Sequence, residues 1–219
     1  MTMLSEDHDT DLAVAVIDDD MDVRLSIASL LQACGHRVET FGSPAEFRAS
    51  AISASCLILD VRLRGANGLE LQEELARGQS IVPVVLISGH GDVPMTVRGM
   101  RAGAITFLSK PFREEDLLSA VREAIGVGLA RRAEVAANAE LMERCRSLTP
   151  RERDVLGLVS AGLMNKQIAG HLGISEITVK IHRGNVMRKM KADSLADLVR
   201  MAERLGAREQ QRRHRRSLP

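Results

Sequence analysis

The sequence predicts a doubly wound α/β domain with a five-stranded parallel sheet, followed by a smaller all-α domain. In the first half, short apolar runs alternate with amphipathic segments, as they do where helices connect parallel strands. In the second half, capped helical segments follow one another without a strand between them. Residues 1–127 carry 11 basic and 19 acidic side chains, whereas residues 128–219 carry 19 and 10. This asymmetry indicates two domains with different partners, the basic one being a candidate for nucleic acid.

The first domain is expected to span residues 12–127. Gly35 occupies the position of a glycine that ends a helix, while Ser43 and Pro44 mark the start of the next one. Strands are predicted at residues 12–17, 36–41, 56–60, 81–89 and 104–110, and helices at residues 23–35, 43–50, 68–78, 93–103 and 114–126.

The second half predicts a helical linker and then a four-helix domain. The Thr149-Pro150 pair followed by Glu152 forms a capping box at the start of the first helix of that domain. On the third helix, a stripe at helical spacing predicts buried side chains, so His182 is expected to pack rather than bind metal. The stripe comprises Val179, His182, Val186 and Met190. The predicted segments are a linker at 128–147, the domain at 148–207 and a basic, disordered tail at 208–219. Within the domain, helices are predicted at 148–163, 165–173, 175–190 and 194–206.

Polar side chains follow the apolar runs where four of the predicted strands end. Such strand ends share one rim of a doubly wound sheet. Clustered carboxylates attract a cation, and a few oxygen ligands suit Mg²⁺. A nearby lysine and hydroxyl could hold phosphate oxygens, so the set suits a carboxylate nucleophile that accepts a phosphoryl group. The residues are Asp18, Asp19, Asp60, Ser88 and Lys110.

Four motifs in residues 12–125 resemble the receiver domain of bacterial two-component response regulators, which has a flavodoxin-like fold. They are VIDDD, LILDVRLRGANGLEL, ISGHGDVPMTVRGMRAGA and FLSKPF. The resemblance implies that Asp60 is the phosphoacceptor and that the cofactor is Mg²⁺, with Mn²⁺ as an alternative. It implies Asp18, Asp19, Asp60 and the backbone carbonyl of Arg62 as metal ligands, Lys110 as the phosphate-binding residue, Ser88 and Phe107 as switch residues, and a cis bond before Pro111.

Two residues depart from the usual receiver pattern. Arg64 stands where a proline is common, and its side chain is expected to point into solvent rather than to phosphate. Ser88 replaces the more usual threonine but keeps the hydroxyl, so switching is expected to survive.

The third helix of the second domain carries basic residues away from its predicted buried stripe. Lysine and arginine can reach phosphates or guanine, and Ile181 can contact a thymine methyl. Gly184 lowers helix propensity by about 1 kcal/mol relative to alanine, which would be consistent with close approach to DNA. A protein-interaction module with a basic surface remains the alternative. The candidate DNA contacts are Lys180, Ile181, Arg183, Gly184, Arg188 and Lys191.

The stretch from residue 148 to residue 190 resembles the LuxR-type DNA-binding domain, and the domain order resembles the FixJ/NarL class of response regulators. The base-contacting positions of that family fall on Lys180, Ile181 and Gly184. Glycine cannot read a base through a side chain, so Arg183 or Arg188 is expected to contribute instead.

These resemblances imply a transcription factor switched by Mg²⁺-dependent phosphorylation of Asp60 from a sensor histidine kinase. Expected partners are promoter DNA, a second copy after phosphorylation, and RNA polymerase. A cytoplasmic location without membrane contact is expected, because the sequence shows neither a signal peptide nor a membrane-spanning run. Two alternatives remain: an aspartyl phosphatase, against which Arg62 argues because such enzymes carry a second aspartate there, and a regulator that works without phosphorylation.

Overall fold

The structure is a computed structural model that describes residues 12–89 and 93–216. The side chains of residue 93 and of residues 207–216 lie outside that description. The chain forms two compact units that divide between Ala133 and Glu134. We call them the N-terminal unit and the C-terminal unit.

Five parallel strands form the sheet of the N-terminal unit, as the sequence predicts. The strand order is β2-β1-β3-β6-β7. The order in which strands are added to the sheet reverses between β1 and β3, which is the topological switch point. A two-stranded antiparallel hairpin of β4 and β5 follows β3 and was not predicted. The strands are β1 Ala13–Ile17, β2 Val38–Phe41, β3 Ala54–Asp60, β4 Arg62–Leu63, β5 Ala66–Asn67, β6 Val84–Ser88 and β7 Thr106–Ser109.

Helices cover both faces of this sheet because alternate side chains of its strands are apolar. On β3, Cys56 and Ile58 pack with side chains of α1 and α5, while Leu57 and Leu59 pack with side chains of α3 on the other face. All four side chains are fully buried. The helices are α1 Met21–Ala33, α2 Pro44–Ser50, α3 Gly68–Arg77, α4 Val93–Arg101 and α5 Glu114–Arg146.

The helix boundaries confirm the predicted caps and add two others. Ser43 accepts a hydrogen bond from the Glu46 N–H at 3.2 Å, and Gly35 adopts a positive φ of 86°. Asp20 and Asn67 cap α1 and α3 in the same way but were not predicted. Asp20 ends the loop that follows β1, and Asn67 precedes α3 after β3, so the two caps fix the ends of these loops.

Helix α5 is continuous through the division between the two units. The sequence places a linker at 128–147, and the structure confirms that the segment is helical. Its second half is not a separate linker, however, because Leu141 is buried in the core of the C-terminal unit and Met142 and Cys145 pack against that core. Burial of these apolar side chains is more favourable in free energy than their exposure to water in a free linker.

The C-terminal unit begins with the predicted capping box. Thr149 accepts from the Glu152 N–H at 3.3 Å, and Glu152 accepts from the Thr149 N–H at 2.8 Å. Ser175 caps the third helix, and Gly173 ends the second with a φ of 63°. The helices are α6 Pro150–Ser160, α7 Asn165–Leu172, α8 Glu176–Met190 and α9 Leu195–Arg216.

The end of α9 differs from the prediction. The sequence predicts that this helix ends at Gly206 and that a disordered tail occupies 208–219, but the backbone stays helical through Arg216. The stretch after Gly206 contains alanine, arginine, glutamate and glutamine, which favour helix, and no proline before Pro219. Residues 217–219 lie outside the described residues.

The buried stripe of α8 is confirmed at three of its four positions. Val179, Val186 and Met190 are fully buried. His182 is half-buried, and its Nδ1 is enclosed without a hydrogen-bond partner in the described part of the chain. In the same part of the chain, no helix combines the length and the apolar character needed to cross a membrane.

Candidate functional site

Three carboxylates meet at the carboxyl end of the parallel sheet. Asp18 and Asp19 follow β1, and Asp60 is the last residue of β3. One oxygen from each lies within 4.8 Å of the other two. Asp18 and Asp60 are buried, whereas the Asp19 side chain is 20% exposed. We call this group, together with Lys110, the acidic pocket.

Lys110, just beyond the end of β7, bridges the two buried carboxylates. Its Nζ lies 2.5 Å from Oδ2 of Asp18 and 2.6 Å from Oδ2 of Asp60. The peptide bond between Lys110 and Pro111 is cis, as the resemblance implies. The Lys110 N–H also donates to the Ser88 carbonyl at 2.8 Å, so the backbone joins this lysine to the end of β6.

Backbone N–H groups hold the other oxygens of the same two carboxylates. The Asp20 N–H donates to Oδ1 of Asp18, and the Arg62 N–H donates to Oδ1 of Asp60, both at 2.9 Å. Each buried carboxylate thus has one oxygen fixed by the loop that follows it and one oxygen on the lysine. This arrangement holds both carboxylates in place before any ligand enters.

Burial and hydrogen bonding in the pocket shift two pKa values. Burial raises the pKa of Asp60, and the hydrogen bonds from Lys110 and the Arg62 N–H only partly oppose that rise. Burial acts to lower the pKa of Lys110, but its hydrogen bonds to Asp18 and Asp60 outweigh it, so this pKa lies above its ordinary value. The lysine therefore stays charged, and the buried carboxylates gain from any further cation.

A second cation reaches the rim of the pocket. Nε of Arg64 lies 3.0 Å from Oδ2 of Asp19, although the Arg64 side chain is 91% exposed. This exposure agrees with the expectation that the side chain points into solvent, whereas its ion pair with Asp19 was not predicted. Arg64 precedes the turn at Gly65, whose φ is 72°, and this turn joins β4 to β5.

Gly68 allows α3 to begin directly beside the phosphoacceptor candidate. A Cβ at this position would lie 2.1 Å from the backbone oxygen of Asp60, which no real structure tolerates. The Gly68 N–H donates to the Val61 carbonyl at 3.0 Å. This close approach was not predicted, since a glycine at the start of a helix has no sequence signal that distinguishes packing from flexibility.

The predicted switch residues lie on β6, which neighbours β3, and on β7, the edge strand beyond β6. Ser88 is buried and ends β6. Phe107 is half-buried on β7 and packs against the core on the face of the sheet covered by α3. In the pairing of β6 with β7, Phe107 lies opposite Leu86, which is two residues before Ser88. Residues 90–92, which belong to a motif quoted for the resemblance, lie outside the described residues.

A single outward stripe runs along α8, opposite its buried face. It contains residues at the spacing i, i+3, i+4, i+7 and i+11, which one side of a helix brings together. All five are exposed. The stripe, which we call the outer stripe, comprises Ile177, Lys180, Ile181, Gly184 and Arg188.

Two of the predicted DNA contacts lie off this stripe. Arg183 is half-buried, and its guanidinium donates to Oδ1 of Asn165 on α7. Lys191 lies beyond the end of α8 in a left-handed conformation, with its Nζ 3.8 Å from Oε1 of Glu140. Arg183 therefore links the two helices, and the DNA contacts of both residues stay predictions.

Comparison with known families assigns each half of the chain separately. Residues 14–122 match the model described as response regulator receiver domain. Residues 146–202 match the model described as bacterial regulatory proteins, luxR family.

Full-length relatives show the same combination. Nodulation protein W of Bradyrhizobium diazoefficiens is 50% identical over 90% of this chain and 88% of its own length. Transcriptional regulatory protein FixJ of Azorhizobium caulinodans is 44% identical over 87% of this chain and 92% of its own length. The solved structure of the response regulator StyR is similar with a TM-score of 0.76 and 47% identity, covering 87% of this chain and 98% of that one.

The chain belongs to the FixJ/NarL class of response regulators. This response regulator is a transcriptional regulator rather than an enzyme, and its class works with sensor kinases and DNA. The comparisons confirm the fold and the domain types that the sequence predicts.

The acidic pocket of this response regulator fits the Mg²⁺ that receiver domains typically use. Mg²⁺ binds oxygen ligands at about 2.0–2.1 Å and keeps several waters. Asp18, Asp19 and Asp60 offer oxygens close enough for a small closure to bring them to one ion. Burial raises the pKa of Asp60 even with Lys110 in place, so a cation bound here would further favour its charged form.

Besides the close approach at Gly68, three features of these sites were not predicted from the sequence. The Asp20 cap could have been found, since an aspartate directly before a helical apolar pattern is a start signal. The Arg64–Asp19 pair and the place of Ile177 on the outer stripe depend on tertiary placement and on the observed start of α8.

Proposed function

We propose that this response regulator accepts a phosphoryl group on Asp60 from a sensor histidine kinase and then binds promoter DNA more tightly. The observation that carries the proposal is the position of Lys110, whose ammonium contacts both buried carboxylates beside a cluster of three aspartates. A lone structural aspartate would not need a second carboxylate and a lysine within hydrogen-bond distance. Such a costly cluster of buried charges is typical of a functional site.

In the transfer, a carboxylate oxygen of Asp60 attacks phosphorus and the P–N bond of the kinase phosphohistidine breaks. The imidazole leaves with the electron pair of that bond, and an acyl phosphate forms on Asp60. Lys110 lies within reach of the new phosphate oxygens because it already contacts Asp60 at 2.6 Å. Mg²⁺ held by Asp18, Asp19, Asp60 and the Arg62 carbonyl would neutralise charge on the transferring oxygens.

The phosphoryl group adds about −1.5 to −2 of charge at the end of β3, by analogy with other phosphorylated side chains. In this proposal, the Ser88 hydroxyl and Lys110 move toward the new oxygens, and Phe107 turns inward. The changed surface then favours a homodimer or releases a contact that restrains the C-terminal unit. Two recognition helices of a dimer would meet adjacent half-sites of the promoter, where RNA polymerase is a further partner.

The test compares wild type with Asp60→Ala, each with and without beryllofluoride plus Mg²⁺ as a phosphoryl mimic. Dimerisation is measured by analytical ultracentrifugation, and affinity is measured on DNA selected from a random pool. Asp22→Ala is the matched control, because Asp22 is an exposed aspartate at the start of α1. The mimic should raise both readouts in wild type and Asp22→Ala but not in Asp60→Ala.

Strong DNA binding that is identical in all samples would overturn the phosphorylation step. The C-terminal unit would remain a DNA-binding domain, and control would have to come from a ligand or protein that contacts the receiver. No DNA binding under any condition would overturn the proposal as a whole.

A further inference from the structure

The outer stripe of α8 contains two large apolar side chains that packing does not explain. Ile177 is 75% exposed and Ile181 is 59% exposed. They lie one helical turn apart, at positions i and i+4, and face away from the buried Val179, Val186 and Met190. Isoleucine is also a weaker helix former than alanine or lysine. Neither residue therefore contributes to folding through burial or through propensity.

Charge on the same stripe indicates what covers these side chains. Lys180 lies between the two isoleucines in sequence, and Arg188 continues the stripe toward the end of α8. An apolar pair flanked by exposed cations suits a surface that is polyanionic outside and offers methyl groups inside. The major groove of DNA is such a surface, because phosphates border it and thymine methyls project into it.

We infer that Ile177 is a specificity-determining residue that contacts a thymine methyl in the major groove, next to a second thymine methyl contacted by Ile181. The inference rests on the DNA binding of the proposed function, but not on phosphorylation. Ile177 lies in the first turn of α8, and the first residues of a recognition helix are those that contact base edges.

The spacing of the two isoleucines sets the spacing of the thymines. Four residues advance about 6 Å along a helix, and successive bases are about 3.4 Å apart. The two methyl groups should therefore lie within about two base-pair steps of each other. Gly184 follows on the same stripe and, without a side chain, offers a base neither a hydrogen bond nor an apolar contact.

The experiment replaces thymine by deoxyuridine, which removes only the methyl group. DNA is first selected from a random pool with the full-length protein, and each thymine of the selected site is then replaced in turn. Affinities are measured for wild type, Ile177→Ala, Ile177→Val and Ile181→Ala. Leu195→Ala is the matched control, since Leu195 is 47% exposed at the start of α9 and lies off the stripe.

At one thymine, removal of the methyl group should lower the DNA affinity of wild type about four-fold, the value expected for one buried methylene-sized group. The same replacement should not lower the affinity of Ile177→Ala further. It should lower that of Ile177→Val by an intermediate factor and that of Leu195→Ala as much as that of wild type. A different thymine within two steps should behave in this way toward Ile181→Ala. Circular dichroism melting verifies that each variant is folded.

Equal losses for wild type and Ile177→Ala at every thymine would overturn the inference, as would selected sites without a thymine preference. Weaker dimerisation of Ile177→Ala with an unchanged thymine dependence would overturn it as well and would assign the patch to a protein interface. All affinities are measured with and without beryllofluoride. If the DNA affinities do not change with beryllofluoride, the phosphorylation step is contradicted, while the thymine dependence still tests the role of Ile177.

Discussion

Arg64 and Asp19 form an ion pair at the rim of the acidic pocket, with Nε 3.0 Å from Oδ2. The arginine stands in the loop after Asp60, two residues beyond Arg62, whose N–H holds the Asp60 carboxylate. Its guanidinium thus neutralises the carboxylate that the family resemblance assigns as a direct metal ligand. This cation belongs to the chain itself, and in the proposed Mg²⁺ site it would compete with the metal ion for Asp19.

Arg64→Gln should therefore bind Mg²⁺ about two- to five-fold more tightly than wild type, because an exposed ion pair contributes up to about 1 kcal/mol. Isothermal titration with MgCl₂ measures the change at low and high salt. Arg62→Gln is the control. It removes the same charge from a residue two positions before Arg64, and the Arg62 side chain makes no ion pair within the described residues. Equal effects of the two variants would show that only net charge matters and not the pair.

Lys110→Met should destabilise the chain by about 2–3 kcal/mol in EDTA at pH 7, because it leaves two buried carboxylates without their shared cation. Addition of Mg²⁺ should stabilise the variant more than wild type. Urea unfolding with and without Mg²⁺ measures both effects. Arg113→Gln removes a cation from the exposed pair with Asp116 and should change stability by no more than about 0.5 kcal/mol.

Glu152 joins the start of α6 to α8 and gives the C-terminal unit a pH-dependent stability. The hydrogen bond from Lys189, at 2.7 Å, lowers the pKa of the buried Glu152 carboxyl from its ordinary value of 4.5. The carboxylate therefore stabilises the fold fully above about pH 4.5, and this contribution disappears as pH falls through the lowered pKa.

Glu152→Gln should lower the free energy of unfolding by about 1–2 kcal/mol at pH 7, and the difference from wild type should narrow toward pH 4 and below. Urea unfolding across this pH range measures it. Glu143→Gln, which removes an exposed carboxylate paired with Arg146, should show little difference at any pH. A constant deficit for Glu152→Gln would contradict a role for its charge.

Gly184 should affect folding and DNA binding in opposite directions. A Cβ at this position meets no described atom within 4 Å, so Gly184→Ala should stabilise α8 by about 0.5–1 kcal/mol. If the DNA backbone passes close to the glycine, the added methyl should lower DNA affinity about tenfold. Gly157→Ala in α6 also meets open space and should stabilise similarly without changing DNA affinity. Thermal melts and fluorescence anisotropy provide the two readouts.

Local signals made most of the fold and the centre of the pocket predictable. The alternation of apolar runs and helical segments predicted five parallel strands. The residues Ser43, Thr149 and Ser175 marked the starts of α2, α6 and α8, whose N-caps they form. Asp60 and Lys110 could be brought together from sequence because the carboxyl ends of parallel strands share one edge. Each of these inferences depends on short-range spacing or on a general property of the sheet.

Only the tertiary structure decided which side chains meet when no periodicity links them. Arg64 reaches Asp19, and Arg183 turns to Asn165 rather than outward, through chain separations that leave no pattern in the sequence. The second half of α5 joins the C-terminal core for the same reason: helix propensity reports that a segment is helical, but not which surface it packs against. The sequence by itself determined the elements and the chemistry of the strand ends, and long-range packing determined the partners of the remaining charged side chains.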